Sequence, residues 1–123
     1  MIPKEILHAW QEREKAVVLT TVSSEGVPNS IWATCADIYD EKTVVVADNY
    51  FNKTKQNIQN GTLASVLFLT KQRKSYQFKG TVSYHTEGPY FDFMKAFNPA
   101  QLPGHGALAI HVQEAYSGAD KLI

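Results

Sequence analysis

One cysteine, Cys35, occurs in the chain, so no internal disulfide can form. There is no CxxC pair and no spaced set of cysteines and histidines of the kind that holds zinc. Neither sign of charge prevails: 12 lysines and arginines balance 12 aspartates and glutamates. A chain without net charge has no long-range field to gather nucleic acid or an anionic membrane, so neither is expected as a partner. An anionic ligand must then be held by a local cluster. Long hydrophobic runs are missing too, and none approaches the roughly twenty apolar residues of a membrane-crossing helix. The opening MIPKEILHAWQEREK is charged, without the apolar stretch of a signal peptide. A cytoplasmic protein is expected.

What is present is ordinary globular material. Of 123 residues, 44% are hydrophobic and 20% are charged. That composition predicts one domain over residues 1–123 with a core that needs no disulfide or structural metal. Near-zero net charge also offers little resistance to self-association.

The pattern along the chain is mostly short strands. Residues 3–14 read as a helix, with Pro3 at its first position and Ile6, Leu7 and Trp10 on one face. AVVLTTV at 16–22 is apolar and β-branched, which suits a buried strand, and SSEG is a turn. VPNSIWATCADIY at 27–39 reads as a second strand, with Ser30, Trp32 and Thr34 on one face and Ile31, Ala33 and Cys35 on the other. TVVVA at 43–47 is a third. A short helix follows within DNYFNKTKQNIQNG, with Asn52 as N-cap and Gly61 as stop. TLASVLFLT, then residues 75–85, with Tyr76, Phe78, Gly80, Val82 and Tyr84 alternating, are two more strands. A helix over 87–97 and a last strand from Ala107, ALAIHV, complete the chain. Connections are too short for parallel crossovers, so the expectation is a mainly β fold: an antiparallel barrel of six strands with about three short α-helices.

The densest polar cluster is DNYFNKTKQNIQNG. Lys53, Thr54 and Lys55 follow Asn52 at a helix start, where an ammonium and a hydroxyl can meet a phosphate. A capped surface helix with solvated lysines has the same pattern. Trp32, between Ser30 and Thr34, could lie against a flat ring or fill a core; spacing alone does not separate these.

Together these features resemble the FMN-binding split β-barrel family, the pyridoxamine 5'-phosphate oxidase-like proteins. AVVLTTVSSEGVPNSIWATC resembles the family's opening hairpin, which builds one flavin wall. TVVVADNYFNKTKQNIQNGTLASVLFL resembles its phosphate-binding loop, short helix and next strand. YQFKGTVSYHTEGPYFDFMKAF and ALAIHVQEAYSG resemble the later strand–helix portion and the closing strand. The likeness is closest to the short FMN-binding members, and it implies a six-stranded Greek-key split barrel. It places Lys53 and Thr54 at the phosphate, with Asn52 beside them. Ser30, Ile31 and Trp32 fall on the strand that contacts the ring and ribityl chain. Ala47, Asp48 and Asn49 fall at the end of the strand beside the ring, and Asn57 and Gln77 are further polar contacts. The resemblance also implies a homodimer with FMN at the interface, closed by partner residues for which Trp10, Leu122 and Ile123 are candidates. It implies an oxidoreductase or electron-transfer role, or else a module that binds or stores a flavin or related cofactor such as haem or a deazaflavin. The arginine- and histidine-bearing segment that holds pyridoxal phosphate in the longer oxidase has no counterpart here, so pyridoxamine oxidation is not expected.

Other groupings carry less. KQRKSYQFKG mixes basic and aromatic residues but falls on a hairpin tip. His8, His85, His105 and His111 are scattered, so no metal is expected. Cys35 reads as a buried, inert thiol, and FDFMKAF as a core-facing helix.

Overall fold

The computed structural model describes residues 1–123. Helix α1 spans Lys4–Gln11 and is followed by β1 (Val17–Val22), β2 (Pro28–Ala33), β3 (Ala36–Asp40) and β4 (Thr43–Asp48). Next come α2 (Lys53–Gln59), β5 (Leu63–Leu69) and β6 (Ser75–His85). Helix α3 (Pro89–Phe97), β7 (Gly106–Ser117) and the short β8 (Asp120–Lys121) end the chain. All pairings are antiparallel, and the order across the sheet is β2-β1-β5-β6-β7-β4-β3, with β8 on β7.

The sheet therefore has eight strands rather than the expected six. The segment 27–39 is two strands, not one. β2 pairs with β1, β3 pairs with β4, and Thr34–Cys35 form the corner between them. Ala33 and Ala36 are both buried, so the inward face resumes after a three-residue step and the strict two-residue alternation breaks there. β8 is the other addition. β2 and β3 are the two ends of the sheet path yet lie only two residues apart in sequence, so the sheet must curl back on itself. They do not pair, which leaves the barrel split at that corner. The first helix is shorter than expected, and Pro3 is its cap position rather than its first turn.

The interior is built on aromatics. Trp10 is fully buried, meets Phe68 edge-on at 5.0 Å and lies 6.1 Å from Phe78. Phe68 stacks on Tyr76 at 5.4 Å. The indole N–H of Trp10 donates to Asp37 at 3.0 Å, and Arg13 lies 4.1 Å over the same ring while donating to the Ala36 carbonyl. Burial lowers the Arg13 pKa, and the nearby Asp37 opposes that shift. Thus α1 is pinned over one barrel end, and Trp10, a sequence candidate for closing a partner's site, is instead a core residue. A smaller core of Val45, Ala47, Met94 and Ala107 lies between α3 and the outer face of β4 and β7.

One register irregularity, between Lys79 and Gly80, brings β6 very close to β7. A Cβ at Gly80 would overlap the backbone carbonyl of His111. Such a neighbour cannot swing aside as a side chain could. Gly80→Ala is therefore expected to cost about 1–3 kcal/mol or more, and to lower the melting temperature by at least ~5 °C. A thermal melt unchanged by the substitution would contradict this approach of the two backbones.

Candidate functional site

The site grows from the end of β4. Every residue of that strand is buried, which carries the carboxylate of Asp48, 3% exposed, into the protein. A buried carboxylate must be hydrogen-bonded or paired. One oxygen accepts the Phe51 N–H at 3.0 Å, and the other accepts the Tyr84 hydroxyl at 2.6 Å. Lys55 approaches at 3.8 Å while lying 4.2 Å over the Tyr84 ring. The Tyr84 ring fits because residue 106 is glycine; a Cβ there would strike the ring.

Asn49 extends the brace. Its side chain exchanges two 2.9 Å hydrogen bonds with Asn98, and its oxygen also accepts the Gly104 N–H. The Asp48 carbonyl accepts the His105 N–H at 2.8 Å. The turn after β4 is thus locked to the loop at 98–105, which brings Leu102 alongside.

On the other side of that turn, α2 is held to the first hairpin. Asn57 donates to Thr21 at 2.9 Å, and Asn29 donates to Thr54 at 3.3 Å. Thr54 and Asn57 are consequently buried, with their side chains turned inward. Asn52 occupies the cap position of α2 but makes no side-chain cap hydrogen bond, which corrects the capping expected of it. Lys53 is exposed and takes part in neither of the ion pairs of the protein.

These elements frame a cleft of about 330 Å³. Ile31, Trp32, Ala33, Thr34 and Cys35 at the split corner form one wall, and Ala47, Asn49, Tyr50, Phe51 and Leu102 form the other. Its lining is mainly apolar and contains no histidine, carboxylate, lysine or arginine. Trp32 is 74% exposed and Tyr50 77% exposed, so two large rings stand in water at its mouth. A roomier recess between α1 and the β5–β6 turn, lined by Glu5, His8, Glu12 and Lys74, is polar and offers no flat apolar wall.

Of the residues singled out from the sequence, Ile31, Trp32, Ala47 and Asn49 line this cleft. Asn52 and Lys53 follow Phe51 on the same turn. Ser30 is exposed on the Trp32 face, bonded to Thr20 at 2.7 Å. Asp48, Thr54 and Asn57 brace the turn from behind. Gln77 stands apart: it lies four strands along a cross-strand row that runs Trp32, Val18, Leu67, Gln77 and on to Tyr116. Sequence reasoning missed Tyr50, Phe51 and Leu102, and did not place Ala33, Thr34 or Cys35 at the site. Tyr50 and Phe51 adjoin the polar cluster and could have been included; Leu102 arrives through the Asn49–Asn98 pair, for which no local signal exists. Cys35 is half-buried on the cleft wall rather than buried.

A curled antiparallel sheet with three helices and a cleft at its split corner defines a split-barrel protein. Residues 2–117 match the family model described as pyridoxamine 5'-phosphate oxidase, and the chain belongs to that family. An uncharacterized protein of Methanocaldococcus jannaschii is 33% identical over 106 residues, 82% of this chain and 71% of that one. HupZ of Group A Streptococcus has the same fold, with TM-score 0.81 and 26% identity over 95% of this chain and 94% of that one. An FMN-binding protein from Syntrophomonas wolfei shares the fold with TM-score 0.72 and 20% identity, covering 88% and 80%. No helix is long and apolar enough to cross a membrane.

The Asp48–Tyr84 bond has a pH signature. Burial first, then the hydrogen bond to Asp48 and its charge, raise the Tyr84 pKa far above the ordinary 10.0. Above pH 10 the unfolded chain loses that proton while the folded chain keeps it, so stability falls as pH rises. Tyr84→Phe is expected to flatten this fall between about pH 10 and 12, while costing about 1–2 kcal/mol near neutrality through the lost bond to Asp48. Tyr116, raised chiefly by its hydrogen bond to Glu114, is present in both proteins and does not affect the comparison. Denaturant titrations across this range check the outcome; parallel alkaline slopes would contradict it.

Proposed function

We propose that this protein binds FMN at the split corner, as an oxidoreductase or electron-transfer protein that works as a homodimer. The observation that carries the reading is an exposed indole, Trp32, on the wall of an apolar cleft, with an unpaired ammonium, Lys53, two residues beyond the cleft residue Phe51. FMN needs both: a flat apolar surface for its ring and a fixed cation for its phosphate. Family membership and the shared fold of the FMN-binding protein support the assignment. FMN, when bound, supplies the redox chemistry.

The chain's own residues do the holding. Trp32 and Ile31 offer the ring a surface, and Tyr50 can close over it from the opposite wall. Lys53 meets the phosphate, while Thr54 and Asn57 act from behind by fixing the turn that carries it. Asp48 and Asn49 fix the same turn from its other end.

What is left in water supports the dimer. Trp32 is three-quarters exposed, so covering it would contribute roughly 3–5 kcal/mol. Val18, Leu67 and Gln77 continue the same row, and Leu63 is also 61% exposed on this outer face. A second copy laid on this face would cover the open side of the cleft.

A second reading has its own support. The cleft contains no titratable acid or base other than Cys35 and Tyr50. That suits a module that holds a flavin or related cofactor without turnover. Reduction of the bound flavin by NADH or NADPH would favour the enzyme, and inertness to both would favour the module.

Lys53→Ala should weaken FMN about ten- to hundredfold, as loss of a charge-assisted contact does. Riboflavin, which lacks the phosphate, should change little; equal losses for both ligands would remove Lys53 from this role. Trp32→Ala should restore fluorescence to a flavin that the indole otherwise quenches. An unchanged emission at full occupancy would place the ring elsewhere.

A further inference from the structure

A second group of functional side chains lies outside the cleft, on the outer face of β6 and β7. Ser83 and His85 belong to β6, and His111 belongs to β7. The sequence separates His85 from His111 by the whole of helix α3 and a loop, which is why the two appear unrelated there. The register brings them together: Ser83 pairs with Ala109, His85 with Ala107 and Thr81 with His111. The two histidines therefore stand diagonally on either side of the Ser83–Ala109 pair. Ala109, opposite Ser83, contributes only a methyl group.

Both imidazoles aim at one atom. The Ser83 hydroxyl oxygen lies 2.7 Å from Nε2 of His85 and 2.8 Å from Nε2 of His111. One hydroxyl can donate to one neutral imidazole and accept from the other, or accept from both, so at least one Nε2 carries a proton. Converting both rings to the tautomer with a free Nε2 leaves two lone pairs converging on the same point. That is the donor arrangement a divalent transition-metal ion takes.

The surroundings suit a bound cation. Tyr90 of α3 packs edge-on against His85 at 4.9 Å and lies 5.9 Å from His111, which limits the freedom of both rings. Tyr39 supports Tyr90 from behind at 4.9 Å. Both histidines are half-buried, open to a cation from solvent yet carried on rigid strands. No third histidine, cysteine or carboxylate completes a ligand set, so the remaining positions are open to water or to a small donor.

We propose that His85 and His111 bind one divalent transition-metal cation, Zn²⁺ or its neighbours Ni²⁺ and Cu²⁺, through their Nε2 atoms. The metal replaces the Ser83 hydroxyl as the shared partner of the two rings, and Ser83 turns to another staggered rotamer. Each Zn–N bond then takes its usual length of about 2.0–2.1 Å. Neither histidine lines the flavin cleft. His85 lies two strands from the cleft residue Ala47, by way of Ala107, on the face that α3 covers.

The test uses tag-free protein stripped of metal with chelator, titrated with ZnCl₂ alone by calorimetry and by proton–nitrogen NMR of the imidazoles. One Zn²⁺ per chain is expected, shifting the ring signals of His85 and His111 and leaving those of His8 and His105 in place. His85→Asn and His111→Asn should each weaken Zn²⁺ by more than about tenfold, since each removes a ligand. Ser83→Ala, which keeps both imidazoles, should bind within about threefold of the parent. Absence of Zn²⁺ binding at millimolar concentration would overturn the proposal. So would shifts confined to His8 or His105, or binding that both asparagine variants leave unchanged. The NMR result on the unaltered protein decides the matter even where a variant fails to fold.

Discussion

A carboxylate at the inner end of β4 sets the geometry of everything around it. Asp48 is buried because β4 is buried along its whole length, and a charged group in that position is tolerated only with partners. Its partners come from three places in the chain: the turn at Phe51, helix α2 through Lys55, and strand β6 through Tyr84. Satisfying one group therefore fixes where the turn leaves the strand and where α2 begins. It also fixes how closely β6 and β7 approach at Tyr84 and Gly106. The Asn49–Asn98 amide pair repeats the device one residue later and binds the far loop to the same turn. The exposed Lys53 is thus the outward end of a brace whose inner members are all hydrogen-bonded.

The sequence showed much of this architecture and little of the bracing. Elements with strong periodicity were legible: β6, where Tyr76 and Phe78 alternate with Gln77 and Lys79, and α1, where Ile6 and Trp10 share the buried face. The split of 27–39 into two strands was not, because the segment is continuously compatible with extended backbone and only tertiary pairing shows that Ala33 and Ala36 both point inward. At the site, Trp32 and Lys53 were visible as residue types, and the resemblance supplied the roles expected of them. Thr54 and Asn57 were expected to contact the cofactor directly. Their inward turn depends on Thr21 and Asn29, which lie some thirty residues away in the chain. Long-range polar pairs of this kind leave no local trace, and the same holds for His85 and His111.

The open side of the cleft connects the fold to its proposed use. A split barrel leaves a corner where the sheet does not close its hydrogen bonds, and residues at such a corner are free to face a ligand. Here that freedom places an indole in water, an unfavourable position for a lone chain and a useful one for a chain that meets a flat ring and a second copy. The absence of a strong acid or base in the cleft fits a protein that contributes position and electrostatics while the cofactor contributes reactivity.

Native mass spectrometry after incubation with excess FMN tests this most directly, because it reads assembly and occupancy from one spectrum. The account predicts a dimer that carries two FMN molecules. A monomer without flavin under those conditions would contradict it.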